Sequence, residues 1–267
     1  MKLATREWGA GKDEVAVLVH AGRDSSSTWK DVGPWLAARG YHAIALDLPG
    51  HGGSKVPEGH ERSLSRVAAD MVETIAAARP DRQGIDLLVG HSLGGICALA
   101  CVAEYPYFTR RLVVEDTPGQ SFDPVAVSHN TASQIELART HPNPGELLPD
   151  RDCVTPAQLA DKVAAAIATD PVYLPELMRS FGDADINALV ARSPVPTLVI
   201  VGRDKGEPIT GSWPTIRDYS LLSGSDRAEY VGALKQGTLV EIGEVGHYVH
   251  TLAADRFTAA LGAWLDA

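Results

Sequence analysis

The stretch IDLLVGHSLGGICALACVAE, residues 85–104, decides the fold. It opens on a short apolar run, Ile85 to Val89, that reads as a strand buried on both faces. It closes on Leu93 to Glu104, a helix stopped at Tyr105-Pro106. Between them Gly90-His91-Ser92-Leu93-Gly94 matches G-x-S-x-G. A turn this tight between strand and helix leaves no room for side chains at Gly90 or Gly94, and it lifts Ser92 outward with its hydroxyl exposed. The helix behind it aims backbone N–H groups at any negative charge that develops there. The plain alternative is a glycine-rich turn with an incidental serine. The bare pattern is common; the strand–turn–helix setting is what gives it weight.

Working outward, similar apolar runs occur at Val15–Val19, Tyr41–Leu46, Leu112–Val114, Thr197–Val201 and Thr238–Ile242. Helices separate them. Leu64, Val67, Ala68, Met71, Val72 and Ile75 share one helical face, with Ser63 placed as cap and Pro80 as stop. Trp29–Arg39 reads as a helix ended by Gly40, with Pro34 kinking it or delaying its start. Ala254–Leu265 is the last. Strand–helix alternation predicts an α/β fold with a mostly parallel sheet covered on both faces. Leu3–Trp8 would add an antiparallel edge strand. The alternation breaks between about Gly119 and Pro194, where short helical segments are separated by prolines. The predicted organisation is therefore a core of residues 1–118 and 194–267 with a helical cap at 119–193.

Two further motifs lie at the same sheet edge. His20-Ala21-Gly22-Arg23-Asp24 follows the Val15–Val19 strand. An oxyanion hole needs two converging N–H groups; Leu93 would supply one and Gly22 the other. Gly246-His247-Tyr248-Val249-His250 follows the final strand. A serine nucleophile needs a base in hydrogen-bond reach, and among nine histidines His247 has the position for it. A lone loop histidine is otherwise a surface residue. His250 reads as structural, bonding backbone near the site. His51 and His91 flank the pocket, and His91 is a candidate substrate contact. Trp213 and Tyr219 are placed to reach the pocket from the segment after Gly202, with ordinary packing the alternative; of the two, Trp213 is the candidate substrate contact.

Together these motifs, with Asp47-Leu48-Pro49-Gly50-His51-Gly52-Gly53-Ser54, resemble the α/β-hydrolase superfamily, in its cap-containing branch with a serine nucleophile. The resemblance covers nearly the whole chain. It implies Ser92 as nucleophile, His247 as base, Gly22 and Leu93 as oxyanion hole, and no cofactor. The acid departs from the commonest pattern. That pattern wants Asp three residues beyond Gly202, where Lys205 stands; Asp204 is one residue early, on a connection of 36 residues to Thr238. Other members carry the acid after the preceding strand, where Glu115-Asp116-Thr117-Pro118 lies. Asp116 is the first choice, Asp204 the alternative, and Glu115, or no acid at all, comes after both.

Composition bounds the partners. The 267 residues carry 24 basic and 34 acidic side chains, a formal charge of −10. Such a surface repels phosphate backbones and anionic lipids, which argues for a small-molecule substrate and against nucleic acid or membrane. Three cysteines, Cys97, Cys101 and Cys153, are too few for a disulfide framework. Cys97 and Cys101 lack partners for a zinc pattern, so no metal is expected and they read as small core residues. The first residues, MKLATREWGAGKDE, show no apolar signal core, so a cytoplasmic location is expected. The predicted activity is cofactor-free hydrolysis of a small ester, lactone or related acyl compound. Carbon–carbon bond hydrolysis or a lyase reaction on the same triad is the enzymatic alternative, and a slow-turnover ligand-binding receptor the non-enzymatic one. Oligomeric state is not readable from sequence.

Overall fold

The apolar runs assemble into one sheet. The computed structural model describes residues 1–120, 123–148, 154–182, 184–202, 220–222 and 224–267. Its strands are β1 (Thr5–Trp8), β2 (Glu14–Val19), β3 (Tyr41–Leu46), β4 (Leu87–His91), β5 (Leu112–Glu115), β6 (Thr197–Val201) and β7 (Gly237–Glu241). They order as β1-β3-β2-β4-β5-β6-β7, with β1 antiparallel to β3 and every other pair parallel. β4 begins two residues later than its apolar run suggests, because Ile85 forms only an isolated bridge with Thr109.

The helices are α1 (Val32–Ala38), α2 (Leu64–Ala78), α3 (Leu93–Glu104), α4 (Pro124–Thr140), α5 (Pro156–Ala168), α6 (Tyr173–Ser180), α7 (Ile186–Ala191), α8 (Gly224–Ala233), α9 (Val249–Leu252) and α10 (Ala254–Leu265). The sequence segment Trp29–Arg39 divides into a 3-10 turn, Ser26–Trp29, and α1. Pro34 falls in the first turn of α1, where its missing N–H removes no helical bond. Ser63 caps α2, accepting the Arg66 N–H at 3.1 Å. No helix among the described residues is long and apolar enough to cross a membrane.

Alternation along each strand splits the core in two. Val15, Val17 and Val19 enter one apolar cluster with α2 and α3. Ala16 and Leu18 enter the other, with Trp29, Leu36, Phe257 and Leu261. The inner strands β2 to β6 therefore contribute to both layers, which is why their runs show no polar alternation. The run Thr238–Ile242 differs from that reading: β7 is an edge strand with one neighbour, β6, and its residues are largely exposed, Leu239 at 39%. Cys97 and Cys101 are free and buried in α3. Burial pushes the Cys97 thiol up to about 12, so it stays protonated. Cys153 lies outside the described residues.

The order of strand addition reverses beside β2: β3 lies on one side of it and β4 on the other. In open α/β sheets the crevice at such a point, beyond the strand C-termini, is where ligands bind. The register aligns the strands there. Val19 pairs with Gly90, Gly90 with Val114, and His91 with Glu115. Ser92, Asp116 and the loop after Val19 therefore leave the sheet along one edge. Between β5 and β6 stand α4 to α7, with no strand among the described residues.

Candidate active site

Ser92 is the residue between β4 and α3, with φ 53° and ψ −117°. A β-carbon on Gly90 would lie 2.4 Å from the Gly94 carbonyl oxygen, and one on Gly94 2.4 Å from that of Val19. Only glycine lets β4, α3 and β2 approach this closely, and that approach forces the left-handed serine. The Ser92 N–H donates to the Glu115 carbonyl at 2.9 Å, tying the elbow to β5.

Asp116, immediately after β5, is also left-handed at φ 42°. Its N–H donates to Ile200 O at 2.8 Å. The carboxylate is fully buried. Oδ2 accepts the His247 Nδ1–H at 2.6 Å and the Leu221 N–H at 2.8 Å. Oδ1 accepts the hydroxyl of Ser220. An ionised carboxylate only accepts, so the bond fixes the histidine proton on Nδ1 and leaves Nε2 as an acceptor. Nε2 is the nitrogen a neighbouring hydroxyl can use. His247 and Ser92 line the same pocket, together with Gly22 and Leu93. A β-carbon on Gly22 would approach only the Leu93 and Leu174 side chains, at 3.7 Å, so the room that glycine leaves belongs to the pocket. Leu174, Met178 and Phe181 from α6 and its end close the far wall. The pocket encloses about 550 Å³ including its open mouth.

His91 differs from its expected place against substrate. It is fully buried and is not part of the pocket wall. It sits behind His247, donating Nε2–H to the His247 carbonyl at 2.9 Å. As the last residue of β4, it shares in the pleat that turns successive side chains to opposite faces. Burial, with His247, His250 and Lys162 nearby, pushes its pKa well below the usual histidine value, so it is neutral. His51 is also buried off the pocket wall, bonded through Nδ1 to Pro49 O at 3.0 Å.

Glu115 bonds elsewhere. Both it and His250 are fully buried. Glu115 accepts the His250 N–H at 2.8 Å and its Nδ1–H at 2.7 Å, while His250 Nε2 lies 2.8 Å from Thr28 Oγ1. The His250 ring thus bonds side chains, where the sequence suggested backbone. The result is a double grip: consecutive residues 115 and 116 hold His250, in α9, and His247, in the loop that leads into it. His91, Glu115 and His250 bring ligand-type atoms within 4.8 Å of one another. Here the Glu115 oxygens are already engaged by histidine donors, which accounts for the cluster without an ion.

Asp204 and Trp213 lie outside the described residues, as does Tyr219. Sequence reasoning missed Ser220 and Leu221, which hold Asp116, and Arg23 and Tyr248, which line the pocket beside Ser92. Arg23 had one legible signal, its place directly after Gly22.

A parallel sheet with one antiparallel edge, a serine on a glycine-flanked elbow, and helices inserted over the strand ends define the α/β-hydrolase fold. Residues 16–260 match the model of the alpha/beta hydrolase family, and the chain belongs to that family. The chain is 30% identical over 114 residues to an esterase of Mycobacterium tuberculosis, covering 43% of this chain and 36% of that protein. It is 33% identical over 112 residues to a 2-hydroxy-6-oxo-6-phenylhexa-2,4-dienoate hydrolase of Burkholderia cepacia, covering 39% and 37%. Such matches span about a third of the relatives' own length. Among solved structures, a hydrolase from Pseudomonas aeruginosa superposes with TM-score 0.79 at 23% identity, covering 99% of this chain and 94% of that one. An enol-lactonase from Burkholderia xenovorans gives 0.77 at 21%, covering 99% and 96%.

Proposed function

We propose that this chain is a serine hydrolase of small esters, lactones or related acyl compounds. The observation that carries the reading is the 2.6 Å bond between Asp116 and His247, in a pocket that also holds the elbow serine. In this reading Ser92 Oγ attacks the substrate carbonyl and gives its proton to His247 Nε2. Asp116 holds the imidazole in the Nδ1–H tautomer and balances the imidazolium charge. The N–H groups of Gly22 and Leu93 take the developing oxyanion. His247 returns the proton to the leaving group, and water, activated by the same nitrogen, then releases the acid and frees Ser92. Residues 119–193 act as the cap: Thr131, Leu174, Met178 and Phe181 from this segment narrow the pocket and limit water. The similarity to the Mycobacterium tuberculosis esterase supports the acyl class.

A second reading, hydrolysis of a carbon–carbon bond beside a carbonyl, is favoured by the match to the Burkholderia cepacia dienoate hydrolase. The two separate on substrate: an ester panel is turned over many times in the first, and only a vinylogous diketone in the second.

The test of the nucleophile is covalent. A fluorophosphonate should add to Ser92, as mapped by peptide mass spectrometry. Ser92→Ala should lose both the label and ester turnover, the latter by about 10³-fold or more, with the fold unchanged. Labelling at another residue of active protein overturns the assignment.

A further inference from the structure

The catalytic pocket has a neighbour. A second pocket, between α4, α5 and the 3-10 turn Pro144–Leu147, is walled mainly by Leu137, Ala138, Leu147, Leu148 and Val163. Arg23 lines both pockets. Among the described lining residues of the two, it carries the only permanent charge, and none is a carboxylate. Burial pulls its guanidinium pKa down, the mark of a cation partly removed from water. It remains charged, because an arginine side chain does not deprotonate in proteins.

Its backbone adds a second observation. Arg23 has φ 59°, a region that suits glycine and strains a long side chain. If the loop needed only its backbone turn, glycine would serve without strain. An arginine held there points to work done by the side chain. Asp24, beside it, turns Oδ1 to the Ser25 N–H at 2.8 Å, and its negative charge favours the charged guanidinium. The guanidinium has five N–H donors, enough to share between protein neighbours and a ligand.

We propose that Arg23 is the specificity residue of the site. It binds a carboxylate on the acyl part of the substrate, so the preferred substrates are half-esters of dicarboxylic acids, or lactones that carry a free carboxylate. This rests on the serine-hydrolase reading above. A carbonyl oxygen held at the Gly22 N–H lies one residue from Arg23, so a carboxylate along the same acyl chain comes within reach of the guanidinium. The local cation matters because the chain as a whole, at −10, repels anions. A guanidinium fork matches the two oxygens of a carboxylate.

The experiment compares p-nitrophenyl hydrogen glutarate with p-nitrophenyl hexanoate, acyl chains of matched length with and without the charge. Wild-type protein should favour the glutaryl ester in kcat/KM. Arg23→Gln should lower the glutaryl-to-hexanoyl ratio about 10- to 150-fold, the range for losing a hydrogen bond to a charged group, mostly through KM. Arg23→Lys should restore part of the ratio, since the charge returns without the fork. Calorimetric binding of glutarate should weaken to the same extent in Arg23→Gln. A ratio that Arg23→Gln leaves within threefold of wild type, or undiminished glutarate binding in that variant, overturns the proposal. If neither ester is turned over and Ser92 takes no label, the hydrolase reading fails, while the glutarate titration still decides the role of Arg23.

Discussion

Asp116→Asn should cost about three decades in kcat while leaving the fold intact. The magnitude follows from the bonds around the carboxylate. Oδ2 takes two N–H donors, from His247 at 2.6 Å and Leu221 at 2.8 Å. In asparagine only the amide oxygen can accept both. The NH₂ is therefore directed to Ser220 Oγ, which can accept it once its own proton turns from position 116 to the Leu222 carbonyl, 2.9 Å away. The shape and the Nδ1–H tautomer survive, and the negative charge is lost. Two opposite charges centred ~4 Å apart at an effective dielectric of ~20 attract by ~4 kcal/mol. At about 1.4 kcal/mol per tenfold, losing that attraction to the imidazolium slows the reaction about 10³-fold. That is less than the ~10⁴ seen where the wrong tautomer also results. The assay is kcat on a chromogenic ester from pH 6 to 9, with thermal unfolding as the folding control. A loss below tenfold in folded protein refutes the role given to Asp116. Asp204→Asn should stay within threefold; if that variant carries the large loss instead, Asp204 is the acid.

Two predictions concern stability. His51 is pushed down to about 3 by burial and the neighbouring His20, so it is neutral when folded and takes up a proton below about pH 6.5 only when unfolded. The unfolded state then binds more protons, and stability falls as pH drops from about 6.5 towards 3. Between pH 7 and pH 5 this histidine should account for about 2 kcal/mol of lost stability; denaturant unfolding of His51→Gln should show a drop smaller by that amount, and an unchanged drop would contradict it. Gly94→Ala places a β-carbon 2.4 Å from Val19 O and 2.5 Å from His20 O, both backbone atoms that cannot swing aside. It should cost about 1–3 kcal/mol, lowering Tm by roughly 3–10 °C. Gly232→Ala is the control, because nothing lies within 4 Å of its added carbon, and calorimetry should find it no less stable than wild type.

The sequence by itself determined the local parts of this protein. Apolar runs with no polar alternation announced the doubly covered strands β2 to β6, because each such residue enters one of two core layers; the run at Thr238–Ile242 misled, since its place at the sheet edge, which leaves β7 exposed, is set by the tertiary structure. The elbow was legible for a similar reason: Gly90, Ser92 and Gly94 lie within five residues, and the constraint they meet is steric and short-range. Where a helix began depended on finer geometry, and the proline at position 34 moved α1 past the 3-10 turn. His91 shows the limit. Its neighbour Ser92 suggested a place in the pocket, but the pleat and the loop after β7 put it behind His247. The contact between Asp116 and His247 spans 131 residues of sequence, and that between Glu115 and His250 spans 135. No local spacing encodes such distances. They arise when β5 and the loop after β7 are brought to one sheet edge, and the left-handed turn at Asp116 then sends adjacent carboxylates to different histidines. The second pocket is likewise a product of α4 packing on α5, so only the tertiary structure could put Arg23 at the junction of two cavities.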